Sequence, residues 1–367
     1  QQQQAQADRF KELEEFLAVY RKVKLSYVDK VDDKQLMEGA IQGMLASLDP
    51  HSAFLDKSDF SSLQTQIDGE YGGLGLTVTL EDEAVKVIAP TKDTPADKAG
   101  IKSGDFITHL DGKLIIGGTL DEAVEAMRGV PGTSIKLTIF RPGRDAPFDV
   151  TVTRAVIDLK PVRWEVKNRI GVISITGFSE QTGADVVAAV SGIKKSLGGN
   201  PLGYIIDLRS NPGGILDEAV SVSDAFLSSG EIVSERGRDK RDIQRWWTER
   251  AVPGDVTGGA PIIVLVDAGS ASASEIVAGA LQDHHRGLVM GERSFGKGSV
   301  QSVLPLTRDT GLRLTVARYH LPSGRSVQEG GIKPDVRVPQ LTDPDYKKRV
   351  SVRESDLRRH LVNELKD

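Results

Sequence analysis

Ser272 stands where a serine could act as a nucleophile. It lies in the small-residue segment 269–275, which follows an apolar run at 262–266 and precedes a helical pattern. A serine at a strand-to-helix turn exposes its hydroxyl at the carboxyl edge of a sheet, and the N–H groups that follow can stabilise an oxyanion. Ser274 and Glu275 could instead cap the helix and favour its dipole. On this segment alone, capping is the better interpretation.

A serine nucleophile needs a base, and Lys297 is the best candidate. None of the six histidines lies in a glycine-framed turn that would force it into a site. A lysine serves as a base when burial keeps its amine neutral, because desolvation disfavours the charged form. Gly296 and Gly298 let the backbone pass close to other groups, and Phe295 can shield the amine from water. Gln301, four residues further on, can orient the amine.

Two other motifs overlap this lysine. Residues 291–297 have the G-x-x-x-x-G-K spacing of a phosphate-binding loop, but Gly298 stands where Ser or Thr should bind magnesium. Ser294 and Lys297 have the S-x-x-K spacing of penicillin-recognising enzymes, which needs a helix to put both side chains on one face. The glycines make a helix costly here. The sequence therefore disfavours both functions, and its histidines lack the spacing typical of a metal site.

Composition indicates an ordinary soluble globular protein. The 367 residues carry 47 Lys and Arg against 52 Asp and Glu, which gives a net charge of −5, and 39% are hydrophobic. The length allows two or three domains, and the slight acidity argues against a nucleic-acid partner. Without cysteine the chain has no disulfide or thiolate chemistry. The opening segment lacks a basic and an apolar region, so any signal or anchor was never present or was removed.

The hydrophobic pattern divides the chain into four regions and predicts an α/β multidomain fold. Residues 1–68 have helical spacing, typical of a cap or an oligomer contact. Residues 69–157 form short alternating strands between glycine turns, and residues 158–340 alternate buried-type strands with helices. Within the latter region, the polar stretch 234–259 is predicted to be a surface excursion. Residues 341–367 should close the chain as an exposed helix.

The β-rich region resembles a PDZ domain in the order of its strands, helices and turns. In that family, the loop before the second strand binds the C-terminal carboxylate of a peptide. Glycines let backbone N–H groups converge on an anion, while the adjoining strand edge pairs with an extended peptide. The corresponding residues here are Tyr71, Gly72, Gly73, Leu74 and Gly75.

Residues 36–338 resemble the C-terminal processing peptidases, also called tail-specific proteases. Lys297 follows Ser272 by 25 residues and Gln301 follows Lys297 by four, as the family spacing requires. Further matching segments occur in the order of that family. They are 48–52, the PDZ-like region, 207–214, 269–275, 296–301, 322–325 and 331–335.

The resemblance implies an α/β serine peptidase core in which Ser272 is the nucleophile and Lys297 is the general base. Gln301 would position the lysine. The resemblance also implies an oxyanion hole formed by two backbone N–H groups. One belongs to Ala273, and the other belongs to either Gly214 or Gly213.

The same resemblance implies an ATP-independent endopeptidase without a metal or other cofactor, acting on protein or peptide substrates with apolar C-termini. Bacterial members are mostly exported, so we expect a periplasmic location, with membrane attachment through a preceding segment as an option. Terminal helices suggest a homo-oligomer, and a lipoprotein or other adaptor protein could deliver substrate. A resting or inactive PDZ-containing scaffold is the alternative, although intact Ser272, Lys297 and Gln301 count against it.

Overall fold

The N-terminal region is helical, as predicted. The computed structural model of the protein describes residues 2–81, 83–239, 241, 243–248, 254–339 and 352–365. Aspartates start two of the helices, because the Asp32 carboxylate accepts the N–H of Gln35 and the Asp56 carboxylate accepts the N–H of Asp59. The elements of this region are α1 (Gln2–Ser26), α2 (Asp33–Ala46), β1 (Ala53–Leu55) and α3 (Lys57–Asp68).

A β-rich module with its own buried core follows, and Val87 and Ile107 are among the residues that form that core. Its longer helix begins with a reciprocal cap, in which the Thr119 hydroxyl accepts the N–H of Glu122 and the Glu122 carboxylate accepts the N–H of Thr119. The elements are β2 (Glu70–Gly73), β3 (Leu76–Glu81), β4 (Ala84–Pro90), α4 (Pro95–Lys98), β5 (Phe106–Leu110), β6 (Lys113–Leu114), α5 (Leu120–Met127), β7 (Ser134–Phe140), β8 (Phe148–Thr153) and β9 (Ala155–Asp158).

An α/β core carries the predicted strand and helix alternation. The elements are β10 (Val162–Lys167), β11 (Ile170–Ile175), α6 (Thr182–Leu197), β12 (Gly203–Asp207), α7 (Leu216–Asp224), β13 (Glu231–Arg236), β14 (Ile243–Trp247), β15 (Ile262–Val266), α8 (Ala273–Asp283), β16 (Leu288–Gly291), β17 (Ser299–Pro305), β18 (Gly311–His320) and β19 (Val336–Arg337).

One sheet of this core places the chain that leads into α8. Its strand order is β10-β11-β12-β15-β16-β19, and the pairs from β11 to β19 are parallel. Because β15 and β12 are parallel neighbours, the loops that follow them meet at the same edge of the sheet. The loop at 208–215 therefore lies beside the loop at 267–272.

A second sheet, in the order β1-β18-β13-β14 with β17 also paired to β18, joins distant parts of the chain. Strand β1 pairs with β18 antiparallel, so Ala53 lies opposite Arg313. Gln301 on β17 lies opposite Thr315 on β18. The surface excursion predicted for 234–259 is wrong in part, because β14 pairs with β13 and Trp246 packs against the core.

The C-terminal segment does not form the predicted exposed α-helix in the part that the structure describes. Residues 340–351 lie outside the described residues, and residues 352–365 contain a single short 3-10 helix, Glu354–Asp356. Glu354 is fully buried, and its carboxylate accepts one hydrogen bond from the Gln328 amide and contacts the His51 ring. Tertiary contacts therefore outweigh the helical pattern of this segment.

Among the described residues, none of the helices combines the length and apolar character that a bilayer span requires.

Candidate active site

Ser272, Lys297 and Gln301 line one cavity of about 680 Å³. Ser272 immediately precedes α8, Lys297 precedes β17, and Gln301 lies on β17. The structure thus brings together three side chains that the sequence separates by up to 29 residues, 272 to 301. His51 and Arg313, from two further parts of the chain, also line this cavity.

Ser272 adopts a backbone conformation that side chains rarely occupy, with φ 54° and ψ −114°. Such a conformation costs free energy and persists only where its surroundings stabilise it. The Ser272 N–H donates to the Glu275 carboxylate at 2.9 Å. Ser274 lies in the first turn of α8, where its hydroxyl donates to the Asn211 carbonyl at 2.9 Å, so it is not the residue that caps the helix.

Glu275 links the loop that carries Ser272 to the loop that carries Lys297. Its carboxylate is fully buried and accepts the N–H of Ser272 and the N–H of Lys297, each at 2.9 Å. It also accepts the Ser294 hydroxyl at 2.6 Å and the N–H of Gly296 at 2.8 Å. Burial raises the pKa of Glu275 to about 7, and these four hydrogen bonds oppose that rise.

Tyr319 joins the same two residues from the carbonyl side. Its hydroxyl lies 3.2 Å from the Ser272 carbonyl oxygen and also contacts the Lys297 carbonyl oxygen. The Tyr319 side chain is almost fully buried, and burial raises its pKa well above the usual value. The hydroxyl therefore stays protonated and can donate. Backbone groups of Ser272 and Lys297 thus share two partners, Glu275 and Tyr319.

The surroundings of Lys297 favour the neutral form of its amine. Burial of the ammonium group lowers the pKa of Lys297, and the positive charge of Arg313 lowers it further. The carboxylates that oppose this shift are Glu354, Glu275 and Asp49. In the part of the chain that the structure describes, no hydrogen bond joins Lys297 Nζ to the Ser272 hydroxyl. Such contacts often form only when substrate is bound.

The two glycines predicted near the serine differ in what their N–H groups do. The Gly213 N–H donates to the side-chain oxygen of Asn211 at 2.9 Å. Gly213 also packs against Ser272 so closely that an added Cβ would lie 2.9 Å from the serine Cβ, and its φ is +101°. Gly214 and Ala273 line the cavity. Ala273 is the first residue of α8, so its N–H has no acceptor within the helix.

The glycine-rich loop of the β-rich module lines a separate groove of about 370 Å³. Tyr71, Gly72 and Gly73 belong to β2, which pairs with β9, so the predicted loop is partly a strand. Leu74 is buried, and Gly75 has φ +77° with Thr94 so close that an added Cβ would lie 2.4 Å from its side chain. Tyr71, Gly73, Leu74 and Gly75 line the groove, whereas Gly72 does not.

Several residues around the cavity were not singled out for it by the sequence. His51 and Arg313 line the cavity, while Asp49 and Thr315 contact its lining residues. In the sequence, the segment 48–52 stands out only as a match to a family motif. The residues next to Thr315 in the sequence predict no role for it. Its position follows from strand pairing between β17 and β18, which spacing along the chain does not reveal.

Comparison with known proteins shows which protein families this chain resembles. Residues 169–338 match the model of peptidase family S41, residues 72–152 match the PDZ domain, and residues 1–59 match the activating protease CtpB N-terminal domain. A carboxy-terminal-processing protease of Bartonella bacilliformis is 49% identical over 354 residues, which cover 96% of this chain and 81% of that protein. The carboxy-terminal processing protease CtpB of Bacillus subtilis is 34% identical, with coverages of 94% and 70%.

A solved structure, the photosystem II D1 C-terminal processing protease, is 30% identical with a TM-score of 0.51, and the match covers 87% of this chain and 86% of that one. The α/β core and the PDZ domain together define a serine-type peptidase that acts on proteins or peptides. The chain belongs to peptidase family S41, among the carboxy-terminal processing proteases. The resemblance stated from the motifs is thereby confirmed.

Proposed function

We propose that the protein is an ATP-independent endopeptidase that recognises apolar C-terminal tails through its PDZ domain and cleaves near that end. The observation that carries this proposal is that Ser272, Lys297 and Gln301 line one cavity, with the lysine amine buried. A buried amine with a lowered pKa is the kind of base that a serine nucleophile requires.

In the proposed mechanism, the Ser272 hydroxyl attacks the scissile carbonyl while neutral Lys297 accepts the hydroxyl proton. The lysine then gives this proton to the leaving amine, and an acyl-enzyme remains on Ser272. Water, deprotonated by the same amine, attacks the acyl-enzyme, and the lysine returns this proton to the Ser272 oxygen as the new C-terminus leaves. Gln301 positions the Lys297 amine during both steps.

For the oxyanion hole we favour Gly214 over Gly213, together with Ala273. The Gly213 N–H already donates to Asn211, whereas the Gly214 N–H donates to no acceptor among the described residues, and Gly214 lines the cavity. The Ala273 N–H lies at the N-terminus of α8, where the helix dipole also favours negative charge.

Helix α3 supports a coupling between tail binding and access to the serine. Its residues Leu63 and Ile67 line the cavity of Ser272, whereas Ser62 and Thr65 line the PDZ groove. Gln66 lines both. A tail bound in the groove would contact the helix that borders the catalytic cavity, so tail binding can shift the population of an open catalytic site.

The proposal is tested by proteolysis of an unfolded protein. We expect the protein to cleave casein with a metal chelator present and no nucleotide added, and a fluorophosphonate reagent to modify Ser272. Mass spectrometry of the labelled peptide identifies the modified residue. A requirement for ATP or metal would contradict the mechanism. Absence of both cleavage and labelling would favour the scaffold alternative.

Tail recognition is tested with two unfolded substrates that differ only in their last three residues. The substrate with an apolar end should be cleaved about 10- to 100-fold faster in kcat/KM than one ending in aspartates, since burying one apolar side chain contributes roughly 1.5–3 kcal/mol. Val124→Asp, in the groove, should remove this preference, while Leu114→Asp, exposed on the same module, should keep it. Equal rates for both substrates would refute tail recognition but would leave the proposed peptidase activity unaffected.

We further propose domain boundaries at 1–68, 69–157, 158–340 and 341–367. Two separate buried cores support the boundaries of the middle two domains.

Apolar side chains exposed on α1, such as Leu13 and Phe16, support a homo-oligomer formed through this helix. A periplasmic location and an adaptor or lipoprotein partner are proposed from the family resemblance. Sedimentation of the protein over a range of concentrations tests the oligomer.

A further inference from the structure

Gln301 and Thr315 face each other across two paired strands. They are direct partners in the antiparallel pairing of β17 with β18. The Gln301 amide nitrogen donates to the Thr315 hydroxyl oxygen at 3.0 Å and to the Ser299 hydroxyl oxygen at 3.0 Å. Both hydrogens of the amide group are therefore used within the protein.

Thr315 also contacts the loop at 49–52, which precedes β1. Its hydroxyl donates to the Asp49 carboxylate at 3.1 Å, and its N–H donates to the Ser52 hydroxyl oxygen at 3.1 Å. This loop reaches β18 because β1 pairs with that strand. Asp49, in the N-terminal region, is thus hydrogen-bonded to Thr315, which in turn is hydrogen-bonded to Gln301.

Asp49 is ionised at neutral pH. The residue is 4% exposed, and burial alone would raise the pKa of its carboxyl group. Hydrogen bonds from the Ser52 hydroxyl, from the N–H groups of His51 and Ser52, and from the Thr315 hydroxyl outweigh burial and hold the pKa of Asp49 below its usual value. An ionised carboxylate only accepts hydrogen bonds.

These roles fix the direction of each hydrogen bond in the chain. Because Asp49 only accepts, the Thr315 hydroxyl must donate its hydrogen to Asp49. The Thr315 oxygen can then only accept, so the NH₂ group of Gln301 must face it. The Ser52 hydroxyl also lies 3.4 Å from the Thr315 oxygen, but it is closer to the Asp49 carboxylate, to which it donates at 2.7 Å. The carbonyl oxygen of Gln301 is left as the group that can accept a hydrogen from Lys297 Nζ.

We propose that Asp49 and Thr315 are positioning residues that fix the orientation of the Gln301 amide, so that its carbonyl oxygen faces Lys297. This inference rests on the proposed function of Ser272, Lys297 and Gln301. A carbonyl that accepts one amine hydrogen leaves the amine lone pair free for the serine proton. A reversed amide would point its NH₂ group at that lone pair and block the base.

The inference is tested by a double-mutant cycle on the full chain. Thr315→Val keeps the shape of the side chain and removes the hydroxyl, so we expect kcat to fall about 10- to 100-fold with little change in KM, as for a small displacement of a catalytic group. In a Gln301→Ala background, Thr315→Val should change kcat less than twofold. Thr315→Ser, which restores the hydroxyl, should recover most of the activity.

Thr138→Val is the matched control, because the Thr138 hydroxyl donates to Asp149 at 2.8 Å within the PDZ-like module. We expect it to leave kcat unchanged. Asp49→Asn should lower kcat less in the Thr315→Val background than in the parent protein, because part of its effect passes through Thr315. The remainder comes from the other hydrogen bonds that Asp49 accepts and from its charge near Lys297.

Equal losses from Thr315→Val with and without Gln301 would overturn the inference, as would failure of Thr315→Ser to recover activity. If Gln301→Ala lowers kcat but Thr315→Val does not, this inference fails while the proposed function stands. If Gln301→Ala has no effect, or if the parent protein neither cleaves casein nor reacts with a fluorophosphonate, the proposed function fails and this inference fails with it.

Discussion

Ser272→Ala is expected to lower kcat by about 10⁵- to 10⁶-fold, and Lys297→Ala by about 10³-fold or more. Without the hydroxyl no acyl-enzyme can form, and without the amine the hydroxyl loses its proposed proton acceptor. Because the two groups act as one unit, the double variant should be no slower than Ser272→Ala alone. Initial rates of casein cleavage measure all three.

The pH dependence of cleavage tests whether Lys297 is the base. The base must be neutral, so kcat/KM should be constant at high pH and fall as the pH drops through the pKa of Lys297, which burial lowers from its usual value of about 10.4. The same acidic limb should appear in the rate of fluorophosphonate labelling of Ser272. An acidic limb unchanged in Lys297→Ala would show that another group is the base.

Lys194→Ala supplies the matched control for the lysine. Lys194 is also half-buried, but its Nζ donates to the Val256 carbonyl at 2.7 Å and does not line the catalytic cavity. We expect this variant to lose stability and to retain kcat. A comparable loss of kcat in Lys194→Ala would mean that general destabilisation, not loss of a base, accounts for the lower kcat of Lys297→Ala.

Local signals alone did not select the chemistry, because the segment 269–275 by itself favours helix capping. The segment 269–275 shows its strand-to-helix turn in seven residues, and the segment 296–301 shows a lysine framed by glycines. The family motifs then ordered these segments, and the fold class and family are confirmed. The roles of Ser272, Lys297 and Gln301 stay predictions, although the structure places all three on one cavity.

Tertiary contacts determine the features that the sequence did not reveal. The 354–356 segment was predicted to be part of an exposed helix, yet the buried contact of Glu354 with His51 joins residues 303 positions apart. The strand β14 lies in a polar stretch, and only its pairing with β13 shows that it belongs to a sheet. Hydrophobic periodicity reports which side chains are buried within one element, whereas these features depend on which elements meet.

Glu275 shows the same limit at the site itself. From the sequence it is an acidic residue in the first turn of a helix, where the helix dipole favours a negative charge. In the structure its carboxylate accepts the N–H groups of both Ser272 and Lys297. The residue therefore holds the backbone of the proposed nucleophile next to the backbone of the proposed base.

Glu275→Gln is expected to lower the free energy of unfolding by about 2–4 kcal/mol, because an NH₂ group cannot accept and leaves buried N–H groups without a partner. We also expect kcat to fall about 100-fold, since either loop that loses its hydrogen bond moves Ser272 or Lys297 out of position. Chemical denaturation measures the first effect, and casein cleavage at a temperature where the variant is folded measures the second.

The matched control is Asp255→Asn, on the loop that precedes β15, at the opposite edge of the sheet from Ser272. The Asp255 carboxylate also accepts four hydrogen bonds, from the N–H and hydroxyl of Thr257, the N–H of Gly259 and the guanidinium of Arg286. It should lose a similar free energy of unfolding and keep its kcat. If both variants lose kcat equally, Glu275 contributes only to stability. If Glu275→Gln alone loses kcat, the carboxylate sets the geometry of the catalytic pair, because each substitution removes a carboxylate that accepts four hydrogen bonds and only Glu275 binds Ser272 and Lys297.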